Sequence, residues 1–181
     1  MSAELLHPFL PEVAASLREI QYRGAVTANL VYERESYLDC VPRAYGFVVP
    51  AQEKRPLLAC TFSSRKWAYR GSDKHAVLRT YFGGPGMEWA ASASDEDLVA
   101  VSASEMKDLL GLDSPVLDYK IQRWPIGLPE YRVGHRNRVQ AIKNSLNQFP
   151  SLSLAGNYLD GVGLPDCVRL GRRAVSQLDL N

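Results

Sequence analysis

The stretch at 152–174 constrains this chain most. It reads Leu152-Ser153-Leu154-Ala155-Gly156-Asn157, then Gly161-Val162-Gly163-Leu164-Pro165-Asp166-Cys167, then a helical run to Val175. The first part is short and apolar and ends in glycine, which predicts a strand feeding a turn. The last part predicts a helix. Pro165 suits its first position, because proline lacks an N–H that would be orphaned there. Leu164 carries no side-chain acceptor and makes a poor N-cap. The first-turn N–H groups are therefore expected to stay available to an electron-rich oxygen of a cofactor or phosphate. Gly161 and Gly163 would let such a group approach the backbone closely. An ordinary strand–turn–helix closing a domain would show the same pattern.

The chain has 181 residues, enough for one sizeable core or a domain with an appendage. Its formal charge of +1 favours no nucleic-acid or acidic-membrane partner. No apolar run is long enough to span a bilayer. Glu4, His7, Pro8 and Pro11 interrupt any signal-peptide pattern. Cys40, Cys60 and Cys167 are odd in number and widely spaced. They predict reduced, mostly buried thiols in a cytosolic setting. No His/Cys/carboxylate group has metal-ligand spacing, so no metal is expected.

Read in order, 11–20 is an amphipathic helix with Val13, Leu17 and Ile20 inward. Residues 24–32 alternate as a strand, with Val26, Ala28, Leu30 and Tyr32 on one face. Residues 33–43 are polar and read as a loop. Tyr45-Gly46-Phe47-Val48-Val49-Pro50 is apolar, suited to a ligand or to the core. Strands are expected at 57–62 and 76–82, with a basic loop carrying Trp67 and Tyr69 between them. Gly83-Gly84-Pro85-Gly86 is expected as a turn, or otherwise as a ligand-facing gap. Ser94 opens a helix as cap, with Asp97 three residues on, and Gly111 closes it. Leu98, Val101, Met106, Leu109 and Leu110 supply its inward side. A strand at 116–124 and a constrained loop at 125–129 follow. A helix then runs from Gly134 to Phe149, with Val139, Ile142, Leu146 and Phe149 inward and Arg136, Arg138 and Lys143 solvated.

Clustered strands followed by segregated helices predict an α+β fold with a mixed, largely antiparallel sheet. The strand–helix unit at the end stands apart. The expected division is therefore 1–150, a sheet with helices on it, and 151–181, the strand–turn–helix. No G-x-S-x-G elbow or complete phosphate loop occurs, and nothing assigns a catalytic triad. The catalytic residue stays unassigned, and any chemistry would belong to a cofactor.

Several segments, in order, resemble the protoporphyrinogen oxidases. Tyr45-Gly46-Phe47-Val48-Val49-Pro50 resembles that family's G-F-G-x-L-V-P segment, and Leu78-Arg79-Thr80-Tyr81-Phe82-Gly83-Gly84 its following strand. Arg123-Trp124-Pro125, Leu128-Pro129-Glu130-Tyr131 and Gly134-His135-Arg136 are similar to its R-W-x-x-A-[IL]-P-Q-Y-x-x-G-H block. Leu154-Ala155-Gly156-Asn157 and the segment from Gly161 to Cys167 match its closing part most closely. The resemblance spans 10–175, but it corresponds only to the C-terminal part of such enzymes.

The resemblance implies an FAD-dependent oxidation of a porphyrinogen to a porphyrin, late in haem synthesis. It implies that 151–181 completes an FAD-binding domain whose N-terminal G-x-G-x-x-G region is missing here. That region would be the principal partner, and FAD is not expected to be retained by this chain alone. Val162, Gly163 and Leu164 would contact the isoalloxazine through the backbone, with Trp124 packed nearby. The helix start would face the pyrimidine edge, where reduced flavin carries negative charge. Tyr45, Gly46, Val48 and Tyr81 would line the porphyrinogen pocket. Trp124 and the pocket residues would otherwise be plain core.

Departures include Ala44 for the family's first glycine, Glu130 for its glutamine and Leu159 for a common aromatic. They leave room for a related flavin amine oxidase or desaturase. The same residues would also suit a non-catalytic tetrapyrrole-binding module or an interaction subunit. A cytoplasmic protein is expected, free or peripheral at the membrane. It should self-associate through an exposed apolar face.

Overall fold

The computed structural model describes residues 2–178. Among the described residues, seven α-helices and five strands follow one another, with two short 3-10 turns between them. They group into two compact units, 24–127 and the remainder, 2–23 with 128–178. This grouping cuts the chain at 23/24 and 127/128.

The unit at 24–127 holds most of the five-stranded sheet. Its strands are β1 (Tyr22–Glu33), β2 (Gly46–Val48), β3 (Ala59–Thr61), β4 (His75–Gly83) and β5 (Asp118–Pro129). Their spatial order is β2-β3-β4-β1-β5, and β1–β4, β2–β3 and β3–β4 pair antiparallel. The α+β class and the antiparallel sheet agree with the sequence. Alternation places Val26, Ala28, Leu30 and Tyr32 of β1 on the buried face, with Ala76, Leu78, Thr80 and Phe82 of β4. That face shares its core with Leu98 and Met106 of a long helix at Asp95–Leu110. The Thr80 and Ser102 hydroxyls meet at 2.8 Å inside this layer, satisfying two buried polar groups at once.

The long helix starts where its cap predicts. The Ser94 hydroxyl accepts the Asp97 N–H at 3.0 Å, and Gly111 leaves the helix in the left-handed region. Leu109 is exposed and Val101 and Leu110 are half-buried, so the inward stripe is narrower than the sequence suggested.

Three segments differ from expectation in this unit. Residues expected as loop contain a helix, Arg34–Cys40, which Tyr37 anchors by full burial. The basic loop begins with a short helix, Ser63–Lys66. The expected loop at 125–129 continues β5, because an edge strand tolerates Pro125 where a central strand would lose a ladder bond.

The second unit contains helices α1 (Ser2–Leu6), α2 (Pro11–Arg18), α6 (His135–Leu146) and α7 (Leu164–Ser176). Here α3, α4 and α5 denote the three helices already given for the first unit. Val13, Ala14, Leu17 and Ile20 pack with Ile142 and Leu146, and Leu152, Leu154 and Tyr158 flank them. Val139, Leu159 and Leu170 form a second cluster. Phe149 is exposed, and Arg138 is not a solvated bystander: its Nε donates to Glu19 at 2.9 Å.

The expected strand at 152–157 does not form. A strand exists by pairing, and no described strand lies alongside this segment, which runs irregularly. The helix after it starts one residue earlier than predicted, with Gly163 as cap and Leu164 first.

Candidate functional site

The turn at 157–163 and the start of α7 form one surface of the second unit. Gly163 caps α7 without any side-chain hydrogen bond, as a residue with no side chain must. Leu164 is 83 % exposed and Val162 45 % exposed. The nearest side chain to this helix start is that of Asp166, whose Oδ2 lies 3.1 Å from where a Gly163 Cβ would stand. Asp166 sits in the first turn and its carboxylate accepts from Arg169 Nη2 at 3.1 Å. Arg169 also reaches the Asp160 carbonyl at 3.2 Å, tying the helix back to the turn. The guanidinium offsets a carboxylate that would otherwise oppose an anion there.

Gly161 is required by this geometry. Its φ is +97°, and a Cβ would stand 2.5 Å from Asp166 Cγ. Tyr131 holds the turn from the other side. Its hydroxyl accepts the Gly161 N–H at 2.9 Å and donates to the Asn157 carbonyl. Burial pushes the Tyr131 phenol above its ordinary value and Asp160 adds to this, while the Gly161 N–H works against it. The ring stacks on buried His135, with centroids 4.1 Å apart and planes 11° apart. His135 Nε2 lies 3.4 Å from the Leu159 carbonyl, and its Nδ1 has no partner among the described residues. Tyr131 and His135 were part of the resemblance, but no sequence signal assigned them this bracing role.

In the other unit, the sheet face turned away from α5 gathers most of the expected pocket residues. Register makes Val48, Ala59, Tyr81 and Thr27 one cross-strand row. The next row is Gly46, Thr61, Arg79 and Asn29. Opposed residues of an antiparallel pair share a face, so Gly46, Val48 and Tyr81 lie together on it. Thr61 Oγ1 donates to the Tyr81 hydroxyl at 3.3 Å. Tyr45, just before β2, is 69 % exposed and Val48 74 % exposed, so neither is core. Gly46 allows β2 to approach β3: a Cβ there would meet the Cys60 carbonyl at 2.1 Å. Trp124, on β5 of this unit, is 52 % exposed, which excludes a core tryptophan.

Among the described residues no group of histidines, cysteines and carboxylates is arranged to hold a metal. No described helix is long and apolar enough to cross a membrane.

One unit thus presents a sheet face of mixed apolar and polar residues, and the other a helix start without a side-chain cap. The family model for flavin containing amine oxidoreductase matches residues 1–179, and the chain belongs to that family. It is 35 % identical over 177 residues to the coproporphyrinogen III oxidase of Mycobacterium tuberculosis, covering 97 % of this chain and 37 % of that protein. To the Bacillus subtilis coproporphyrinogen III oxidase it is 30 % identical over 132 residues, covering 72 % of this chain and 28 % of that one. The chloroplastic protoporphyrinogen oxidase of Oryza sativa subsp. japonica is 24 % identical, with 98 % of this chain and 35 % of that protein covered. Among solved structures, a "Putative protoporphyrinogen oxidase" from Exiguobacterium sp. 255-15 superposes with a TM-score of 0.78 at 29 % identity, over 97 % of this chain and 39 % of that one. A reduced UDP-galactopyranose mutase, at 13 % identity and a TM-score of 0.57, shares the fold over 78 % of this chain and 29 % of that one. The chain thus spans little more than a third of the curated relatives it matches over its full length.

Proposed function

We propose that this chain supplies the substrate wall and one flavin-facing helix start of a porphyrinogen-oxidising flavoenzyme. The remaining FAD cradle would come from a region outside these residues. The observation that carries the reading is the start of α7, which has no side-chain cap, with Val162 and Leu164 exposed and Gly163 half-buried. Bound FAD would supply the redox chemistry by accepting the hydride equivalents.

The protein's own residues bind and orient. The amides at the start of α7 would favour negative charge on a bound flavin through the helix dipole. Tyr131 and Gly161 fix the turn that presents them. Tyr45, Gly46, Val48 and Tyr81 offer a flat, apolar and aromatic wall suited to a macrocycle. Trp124 presents an indole that would pack against the cofactor. The relatives named as coproporphyrinogen III and protoporphyrinogen oxidases support a porphyrinogen as the substrate class.

The flavin side is best assigned to 151–181 together with the rest of its compact unit, α2 and α6 included. The principal partner is the missing N-terminal FAD-binding region, and this chain alone should be colourless and inactive.

Co-expression with the N-terminal region of a full-length relative tests the reading. A stable complex with stoichiometric yellow flavin absorbance and porphyrinogen turnover is expected. No complex, or no recovered flavin, would overturn it. Stoichiometric flavin in the chain purified alone would refute the claim that it does not hold FAD.

A further inference from the structure

Arg79 is a charged residue in the middle of the proposed substrate wall. It stands two positions from Tyr81 on β4, hence on the same face and about 7 Å along the strand. Its Nε donates to Asn29 Oδ1 at 2.7 Å. Asn29 is fixed in turn, since its Nδ2 donates to the Lys120 carbonyl at 3.3 Å. The Asn29 amide is thus held at both ends, and the guanidinium plane is set by it. The two terminal nitrogens of Arg79 have no partner among the described residues, and no described carboxylate lies within 4.0 Å to form an ion pair. Glu33 is the one carboxylate that β1 to β4 place on this face within the unit, four positions along β1 from Asn29.

A half-buried guanidinium oriented by a neutral amide, with its forked end unsatisfied, is suited to a carboxylate. A paired Arg–Asp in the same place would already be neutralised. Other arginines of this unit are used internally: Arg55 pairs with Glu105 and Asp108, and Arg123 with Asp95. Arg79 is also one cross-strand row from Val48, Ala59, Tyr81 and Thr27. A macrocycle lying on that row would carry its peripheral side chains over the Arg79 row.

We propose that Arg79, oriented by Asn29, binds a peripheral carboxylate of the substrate, so that this face selects carboxylate-bearing tetrapyrroles over their esters. The inference rests on the reading of this face as the substrate wall. Arg79 is a binding and specificity residue in it, with no part in the redox step.

The test titrates the chain with coproporphyrin III and with its tetramethyl ester, following quenching of tryptophan emission. Wild type should bind the free acid at least tenfold more tightly than the ester, and added salt should narrow the gap. Arg79→Gln should lose that preference while binding the ester as before. Asn29→Asp keeps the shape of the pair but neutralises the guanidinium internally, and it too should lose the preference. Circular dichroism and thermal midpoints confirm that both variants are folded. Equal discrimination by wild type and both variants would overturn the Arg79 assignment and leave the macrocycle wall standing. Absence of saturable quenching with wild type and either porphyrin would overturn both.

Discussion

The Tyr131 hydroxyl and the Gly161 amide, thirty residues apart in sequence, meet at 2.9 Å. The same hydroxyl donates to the Asn157 carbonyl, so one oxygen closes the turn at both ends. This turn has no sheet to hold it, because 152–157 lacks a pairing strand. The turn's shape therefore depends on Tyr131. Tyr131→Phe keeps the ring that stacks on His135 and removes only the hydroxyl. It should cost about 0.5–1.5 kcal/mol, the usual net worth of a hydrogen bond. Hydrogen–deuterium exchange should accelerate at 157–161 and stay unchanged in α2. Unchanged exchange at Gly161 would show that the turn holds itself.

Gly46 is the hinge of the sheet edge. Its φ of +147° and the 2.1 Å approach that a Cβ would make to the Cys60 carbonyl leave no room for a side chain. Gly46→Ala should detach β2 from β3, with backbone strain alone worth about 1–3 kcal/mol. The urea midpoint should fall, and proteolysis near 44–50 should quicken. An unchanged midpoint would mean that the edge relaxes at no cost.

The sequence made β1 and β4 legible because alternation is a local pattern that burial enforces. Ser94 and Gly111 marked α5 for the same reason: each cap is a property of the residue that makes it. Helix α3 was hidden because only Tyr37 of its seven residues is buried, so no stripe repeats. The continuation of β5 through Pro125 depended on its being an edge strand, which only the sheet order reveals. At the site, glycine spacing pointed to the turn, and the resemblance pointed to Gly46, Val48 and Tyr81. The Tyr131–Gly161 bond and the Arg79–Asn29 pair could not be read, since each joins residues distant in sequence with no periodic signal between them.

Buried acids in the first unit make its stability fall at alkaline pH. Burial pushes the Cys60 thiol from an ordinary 9.0 up to about 12. Burial likewise raises Tyr37 from 10.0 to about 12, with Arg65 partly opposing it. Tyr32 is raised by burial too, with a smaller contribution from Cys60. The Tyr32 and Tyr37 hydroxyls have no hydrogen-bond partner among the described residues. Each group prefers its neutral form when folded, so the unfolded chain binds fewer protons above its ordinary value. Stability should be intact below pH 9.0 and decline as the pH approaches about 12. Urea midpoints across this window, with tyrosinate absorbance, would follow it. At neutral pH a thiol reagent should modify half-buried Cys40 and Cys167 before Cys60. Early labelling of Cys60 in folded protein, or a midpoint that rises with pH, would contradict this account.

Helix α7 is apolar on two sides. Leu170 and Ala174 are buried in its own unit. Leu164, Val168 and Val175 are exposed, at spacings that form a second stripe beside the buried one. Gly171 lies on the same stripe, and a Cβ there would meet nothing within 4 Å. A surface helix of a globular protein commonly shows one apolar stripe; a second exposed one is a candidate contact surface. Covering each such side chain is worth about 1.5–3 kcal/mol, enough to drive copies of this chain together. Light scattering should therefore report association that grows with concentration, and Val168→Glu with Val175→Lys should abolish it. The same double variant should weaken capture of a relative's N-terminal region in the co-expression test, while the thermal midpoint stays within a few degrees of wild type. A strictly monomeric wild-type chain at high concentration would remove the stripe as a driver of association.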